Sequence, residues 1–148
     1  PQETFRQPEM ATLVQKQIRS LLLNPEWARH AALPDYLPLQ DDFACLANLA
    51  DFINQQNTPP NAAQILEHMR GSEYEAVLNH IFYHAMQSPE AFAGADEEDC
   101  ENFKLGMHKL LSELKNQQIN ALKTKSQQFT LSDNEKQLLL ALLMQKAT

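Results

Sequence analysis

Glycine and valine are scarce in this sequence, with three glycines and only Val14 and Val77 among 148 residues. Few glycines leave little material for the left-handed turns of tight hairpins, and few valines little for pleated strands. Leucine and alanine dominate instead, which favours helix. Cysteine occurs only as Cys45 and Cys100, far apart and without a CxxC pair. That excludes a disulfide framework and fits a reducing compartment. No apolar run approaches the ~20 residues needed to cross a bilayer. Glycine-rich phosphate loops, GxSxG elbows and HExxH pairs are missing too, so no catalytic chemistry and no cofactor are indicated. The chain starts at Pro1 with no initiator methionine and no leader-like segment. It is expected to be a fragment from the C-terminal end of a larger soluble protein.

Charge is unevenly distributed. Residues 1–101 hold five basic against sixteen acidic side chains, while 102–148 hold seven lysines against Glu113, Asp133 and Glu135. An acidic body argues against direct phosphate binding. The lysines of the C-terminal part are spread out, with Phe129 the only aromatic after Phe103, which makes a poor nucleic-acid surface. They read as solvated helix faces.

The hydrophobic pattern predicts an all-α fold. A first helix is expected from about Pro8 to Leu23, with Leu13, Ile18, Leu21 and Leu22 on its inner stripe. Asn24-Pro25 reads as an N-cap with proline at the first helical position, opening a short helix to Ala32. Leu33-Pro34 to Leu39 is a connector. Asp41 caps a third helix to about Gln55 that points Phe43, Leu46, Leu49, Ala50 and Ile53 inward. Thr58-Pro59-Pro60-Asn61 starts a fourth, ending at Arg70 with Gly71 as its left-handed cap. A fifth, Glu73 to Met86, carries Val77, Leu78, Ile81 and Phe82, and Ser88-Pro89 opens one short turn to Phe92.

Four carboxylates at 96–99 then sit where a helix dipole favours them. No stop signal follows until about Phe129, so a helix of some 30 residues, roughly 45 Å long, is predicted. Its stripe is dense at Phe103, Met107, Leu110, Leu111 and Leu114, and thins to Ile119 and Leu122. The second half is expected to leave a compact bundle of short helices. Ser132 with Glu135 makes a capping box for a last helix that folds back as a hairpin. The expected organisation is a bundle over 1–114 and a helical hairpin over 115–148.

Two clusters invite a metal reading. His80 and His84 have the i, i+4 spacing of paired ligands, but no third ligand stands in a recognisable motif. The acidic run at 96–99 points its carboxylates in different directions, as consecutive helical residues do. Both read as surface features, and no metal is expected. The last helix is more informative. At 100° per residue, Leu138, Leu139, Leu142 and Leu143 share one broad face that a hairpin partner can bury. Leu140 and Met144 point nearly the opposite way, and a helix apolar on both sides presents one of them to another molecule.

Three segments, Leu21-Leu22-Leu23-Asn24-Pro25-Glu26, Gln64-Ile65-Leu66-Glu67-His68-Met69-Arg70-Gly71 and Leu131-Ser132-Asp133-Asn134-Glu135, resemble the C-terminal helicase-binding domain of bacterial DNA primase (the DnaG type). The resemblance covers nearly the whole chain and includes no catalytic signature. It implies a helical bundle with a C-terminal hairpin that docks on the N-terminal domains of the hexameric replicative helicase. The helicase-binding residues would be Leu140, Leu143, Met144 and Thr148. It implies a bacterial, cytoplasmic location at the replication fork, with primer synthesis left to upstream domains. It also implies a pocket for the acidic tail of single-stranded DNA-binding protein, between the first helix and the helix after the Arg-Gly pair. Met10, Leu13, Val14 and His80 would line it, with Lys16, Arg19 or Arg70 supplying charge, although Met10 and His80 stand where lysines are expected. Competing readings are a nucleic-acid-binding module using the lysine-bearing arm, and the N-terminal domain of the helicase itself.

Overall fold

The computed structural model describes residues 6–34, 39, 41–87 and 96–147, with side chains from Leu13 to Gln145 within that set. Every regular element among these residues is helical. In order they are α1 (Arg6–Leu23), a 3-10 helix (Pro25–His30), α2 (Asp41–Asn54), α3 (Ala62–His68), α4 (Glu75–Met86), α5 (Glu97–Gln128) and α6 (Asp133–Ala147). The all-α expectation is met. The chain divides into two compact units, Pro1–Leu33 with Leu39–Leu110, and Leu111–Thr148 with Pro34–Pro38.

The first unit is built around α1, which packs on α2, α3, α4 and the 3-10 helix. Val14, Ile18, Leu21 and Leu22 recur at helical spacing, so one stripe of α1 is sealed from solvent. Against it lie Cys45, Leu46, Leu49, Ala50 and Ile53 of α2, Ile65 of α3, Leu78 and Ile81 of α4, and Phe103, Met107 and Leu110 of α5. Leu13, Phe43, Val77 and Phe82 are half-buried at the edge of this core. The Trp27 ring lies 5.5 Å from that of Phe103. Asn54 Nδ2 donates to the Ala28 carbonyl at 3.0 Å, which ties α2 to the 3-10 helix.

Local chemistry sets the helix ends, and three of those described below differ from the sequence expectation. Asn24 supplies no side-chain cap; its Nδ2 turns back to the Ser20 carbonyl at 3.4 Å. The six residues after it form a 3-10 helix, begun by the Trp27 N–H donating to the Asn24 carbonyl at 3.0 Å. Trp27 and Ala28 of this segment are buried in the core. The fourth predicted helix stops at His68, because the Arg70 N–H bonds only three residues back, to Glu67. Gly71 at φ 81° is the left-handed residue anticipated. Ser72 Oγ then accepts from the Tyr74 N–H at 3.2 Å, which delays α4 to Glu75. At the start of α3, Asn61 and Gln64 form a reciprocal capping box. The expected turn from Ser88 to Phe92 lies outside the described residues.

The second unit is a hairpin made by the later part of α5 and α6. Ile119, Leu122, Leu131 and Leu142 form its buried seam, flanked by Leu138, Leu139 and Leu143. The capping box read from the sequence is present: Ser132 Oγ accepts from the Glu135 N–H at 3.2 Å, and Glu135 Oε1 accepts from the Ser132 N–H at 3.0 Å.

Candidate functional site

The two faces of α6 are unequal. Leu142 is 1% exposed and Leu138, Leu139 and Leu143 pack beside it, whereas Leu140 and Met144 are 60% and 62% exposed. Leu143, grouped with the docking residues at the sequence level, is half-buried and packs beside the seam. Thr148 lies outside the described residues. Leu140 and Met144 are spaced i, i+4, one turn apart on one side of the helix. Two large apolar side chains held in solvent on a capped, packed hairpin are suited to docking on another protein.

Phe129, just past the end of α5, is 65% exposed in the same unit. A lone aromatic at a turn belongs to no helical stripe, so hydrophobic periodicity does not single it out. The turn beside it is held by Glu135. Its carboxylate accepts a hydrogen bond from Lys125 Nζ, across the hairpin, and another from the Ser132 N–H. The Lys125 ammonium, helped by the Ser132 amide, holds this carboxyl at about 2, well below its ordinary range.

A second surface lies in the first unit. Gln15, Lys16 and Arg19 of α1 line a cleft with His80, Ile81, His84 and Ala85 of α4. Ile81 and Ala85 are buried and form its floor. The imidazoles of His80 and His84 meet edge to face at 4.4 Å, and Tyr83 stands against His84 at 5.8 Å. The structure thus gathers Lys16, Arg19 and His80 as the sequence proposed, and adds His84, which the sequence offered only as half of a histidine pair. Of the other pocket candidates, those with described side chains do not line it. Val14 is fully buried in the core and Leu13 packs at the core's edge. Arg70 is ion-paired with Glu67 at 3.0 Å. The side chain of Met10 lies outside the described residues.

Among the described residues no three His, Cys, Asp or Glu side chains are grouped to hold a metal ion. No described helix is long and apolar enough to cross a membrane. At the acidic N-terminus of α5, Asp96 and Asp99 cap one another reciprocally, with side chain-to-backbone distances of 2.9 and 3.1 Å.

Comparison with known proteins identifies the family of the chain. A family described as "DNA primase DnaG DnaB-binding" matches residues 14–142. The chain is 58% identical over 146 residues to the DNA primase of Neisseria meningitidis serogroup A, and 56% identical to that of serogroup B. In each case the match takes in 99% of this chain and 25% of the relative, so the chain spans about a quarter of the length of these primases. No solved structure matches it.

Proposed function

The chain belongs to the DnaB-binding family of the DNA primase DnaG, and from that premise we propose that it tethers a primase to the hexameric replicative helicase at the replication fork, in the bacterial cytoplasm. Its grip is the exposed face of α6. The observation that carries this reading is the contrast within one helix, with Leu142 sealed in the hairpin while Leu140 and Met144 stand in solvent. A hairpin whose seam is already complete does not need that second apolar face for its own folding. In this reading primer synthesis is performed by the remainder of the parent protein, and this domain localises it.

The α1–α4 cleft supports a second contact. Its described lining combines Lys16 and Arg19 with two histidines, within the part of the chain where acidic residues outnumber basic ones. A cationic rim over an apolar floor suits the acidic C-terminal tail of single-stranded DNA-binding protein.

Titration of the domain against the helicase hexamer at low and at high salt tests the main reading. Apolar docking through α6 should survive added salt. Binding that collapses steeply with salt, or that requires DNA, would favour the nucleic-acid reading of the lysine-bearing arm. No complex with the helicase under either condition overturns the tether.

A further inference from the structure

Thioether sulfur is unevenly placed among the methionines whose side chains are described. Met69 and Met107 are each 6% exposed and belong to the core cluster of the first unit, and Met86 is half-buried. Met144 is 62% exposed, one helical turn from Leu140 on the solvent side of α6. An oxidant in water therefore meets the Met144 sulfur without any opening of the fold, whereas the sulfurs of Met69 and Met107 are reached only when the core opens.

Resting on the α6 docking reading above, we infer that Met144 is a sulfoxidation site, and that its oxidation by hydrogen peroxide releases the domain from the helicase. The sulfur lone pair attacks one peroxide oxygen. An S–O bond forms as the O–O bond breaks, and sulfur gives up two electrons. The proton on the transferred oxygen passes to the departing hydroxide, which leaves as water. The product keeps the length of the side chain but turns an apolar thioether into a polar sulfoxide.

The free domain tolerates that change. The Met144 side chain already faces water, and the hairpin seam is closed by Leu142 on the other face of α6. The docked state does not tolerate it. An unpaired sulfoxide oxygen would be desolvated beside Leu140 in an apolar interface, which weakens binding by about tenfold or more. A helicase seated on α6 in turn covers the sulfur, so the docked domain is oxidised more slowly than the free one. Oxidation thus acts on the domain between dockings and blocks the next.

The test treats the whole chain with dilute hydrogen peroxide and then with dithiothreitol, which reverses sulfenic acid or disulfide at half-buried Cys100 but leaves methionine sulfoxide. Peptide mass spectrometry should find Met144 oxidised before Met69 and Met107. Titration against the helicase hexamer should show about tenfold weaker binding, with the thermal melt unchanged. Methionine sulfoxide reductases acting on both sulfur epimers should restore the affinity. Met144→Leu, compared with its own untreated affinity, should change by less than about twofold on the same treatment, which separates Met144 from the other methionines. Met144→Gln, polar and of similar length, should bind weakly without any oxidant. An oxidised chain or a Met144→Gln variant that binds as tightly as the untreated parent overturns the inference, as does a Met144→Leu variant that loses as much as the parent on treatment. If Met144 is also oxidised as fast with saturating helicase as without it, the α6 docking reading falls too and the tether stands. No binding by the untreated chain overturns the tether itself.

Discussion

Gln17 of α1 and Gly106 of α5 are each fitted to the other. The glutamine side chain, 2% exposed, lies over the glycine and donates its Nε2–H to the Phe103 carbonyl at 2.8 Å. A Cβ built on Gly106 would fall 2.8 Å from Gln17 Oε1 and 2.9 Å from its Cδ and Nε2. The only glycine inside a described helix is thus explained by a buried amide that needs its space.

The first prediction follows. Alanine at a helical glycine normally stabilises by about 1 kcal/mol. In Gly106→Ala the displaced amide would lose its acceptor while still buried, at about 1–3 kcal/mol. The expected net result is destabilisation by roughly 1–2 kcal/mol. In a Gln17→Ala background the same change should be neutral or stabilising, and a denaturation double-mutant cycle reads this coupling directly. A Gly106→Ala single variant that melts higher than the parent contradicts the fit.

On α6, replacing Leu140 and Met144 together with Asp should alter stability by less than about 1 kcal/mol, because both side chains already face water. Helicase binding should weaken by several kcal/mol, since two unpaired carboxylates would enter an apolar interface. Leu142→Ala is the converse. It should cost about 2–5 kcal/mol of hairpin stability through the cavity it leaves. A helicase titration beside a thermal melt separates the two variants, and normal binding by the double Asp variant would remove α6 as the docking face.

The Glu135 clamp gives the hairpin an acid limit. Its folded pKa, about 2, lies below the ordinary 4.5, so its contribution is complete above about pH 4.5 and fades as pH falls towards 2. The parent and Glu135→Gln should therefore differ most in hairpin stability near neutral pH and converge in acid. Amide hydrogen exchange at Ser132 across that range is the measurement, and a gap independent of pH would show the clamp to be idle.

Cys45 is fully buried, and burial, with Asp42 nearby, pushes its thiol up to about 12. It should resist thiol reagents at pH 8 in the native chain and react on unfolding, whereas half-buried Cys100 should be modified first. Equal labelling rates at the two positions in native protein would mean that the α2 core opens readily.

Residues 1–114 are expected to fold alone, because the main core cluster, among the described residues, ends with Leu110. Cooperative melting of that fragment is the readout. A broad, non-cooperative melt would make the hairpin part of the bundle's folding unit.

The sequence made the helices legible wherever a repeated spacing or paired cap announced them. The Leu138–Leu143 face, the Ser132–Glu135 box and Gly71 are of that kind, since each depends on residues within a few positions. What it hid depends on distant partners. Asn24-Pro25 looks like an ordinary helix start, yet a 3-10 helix forms there, with Trp27 buried in the core. Gln17 is an unremarkable glutamine until Gly106, far along the chain, comes beneath it. Val14 is a cleft residue by the family resemblance, yet its place in the α1 stripe buries it. His84 joined the cleft only when α1 was packed against α4.

The helix from Glu97 to Gln128 crosses the boundary between the two units at Leu110 and Leu111, so the seam between domains is the interior of one hydrogen-bonded ladder. Such a ladder is costly to interrupt, because a break exposes a new set of unpaired amides and carbonyls on each side. Fraying from the ends is easier. A conventional linker is where proteases cut first and amide protons exchange fastest. Here the ordering is inverted: the residues around 110 should be among the last in α5 to exchange, and limited proteolysis should start elsewhere.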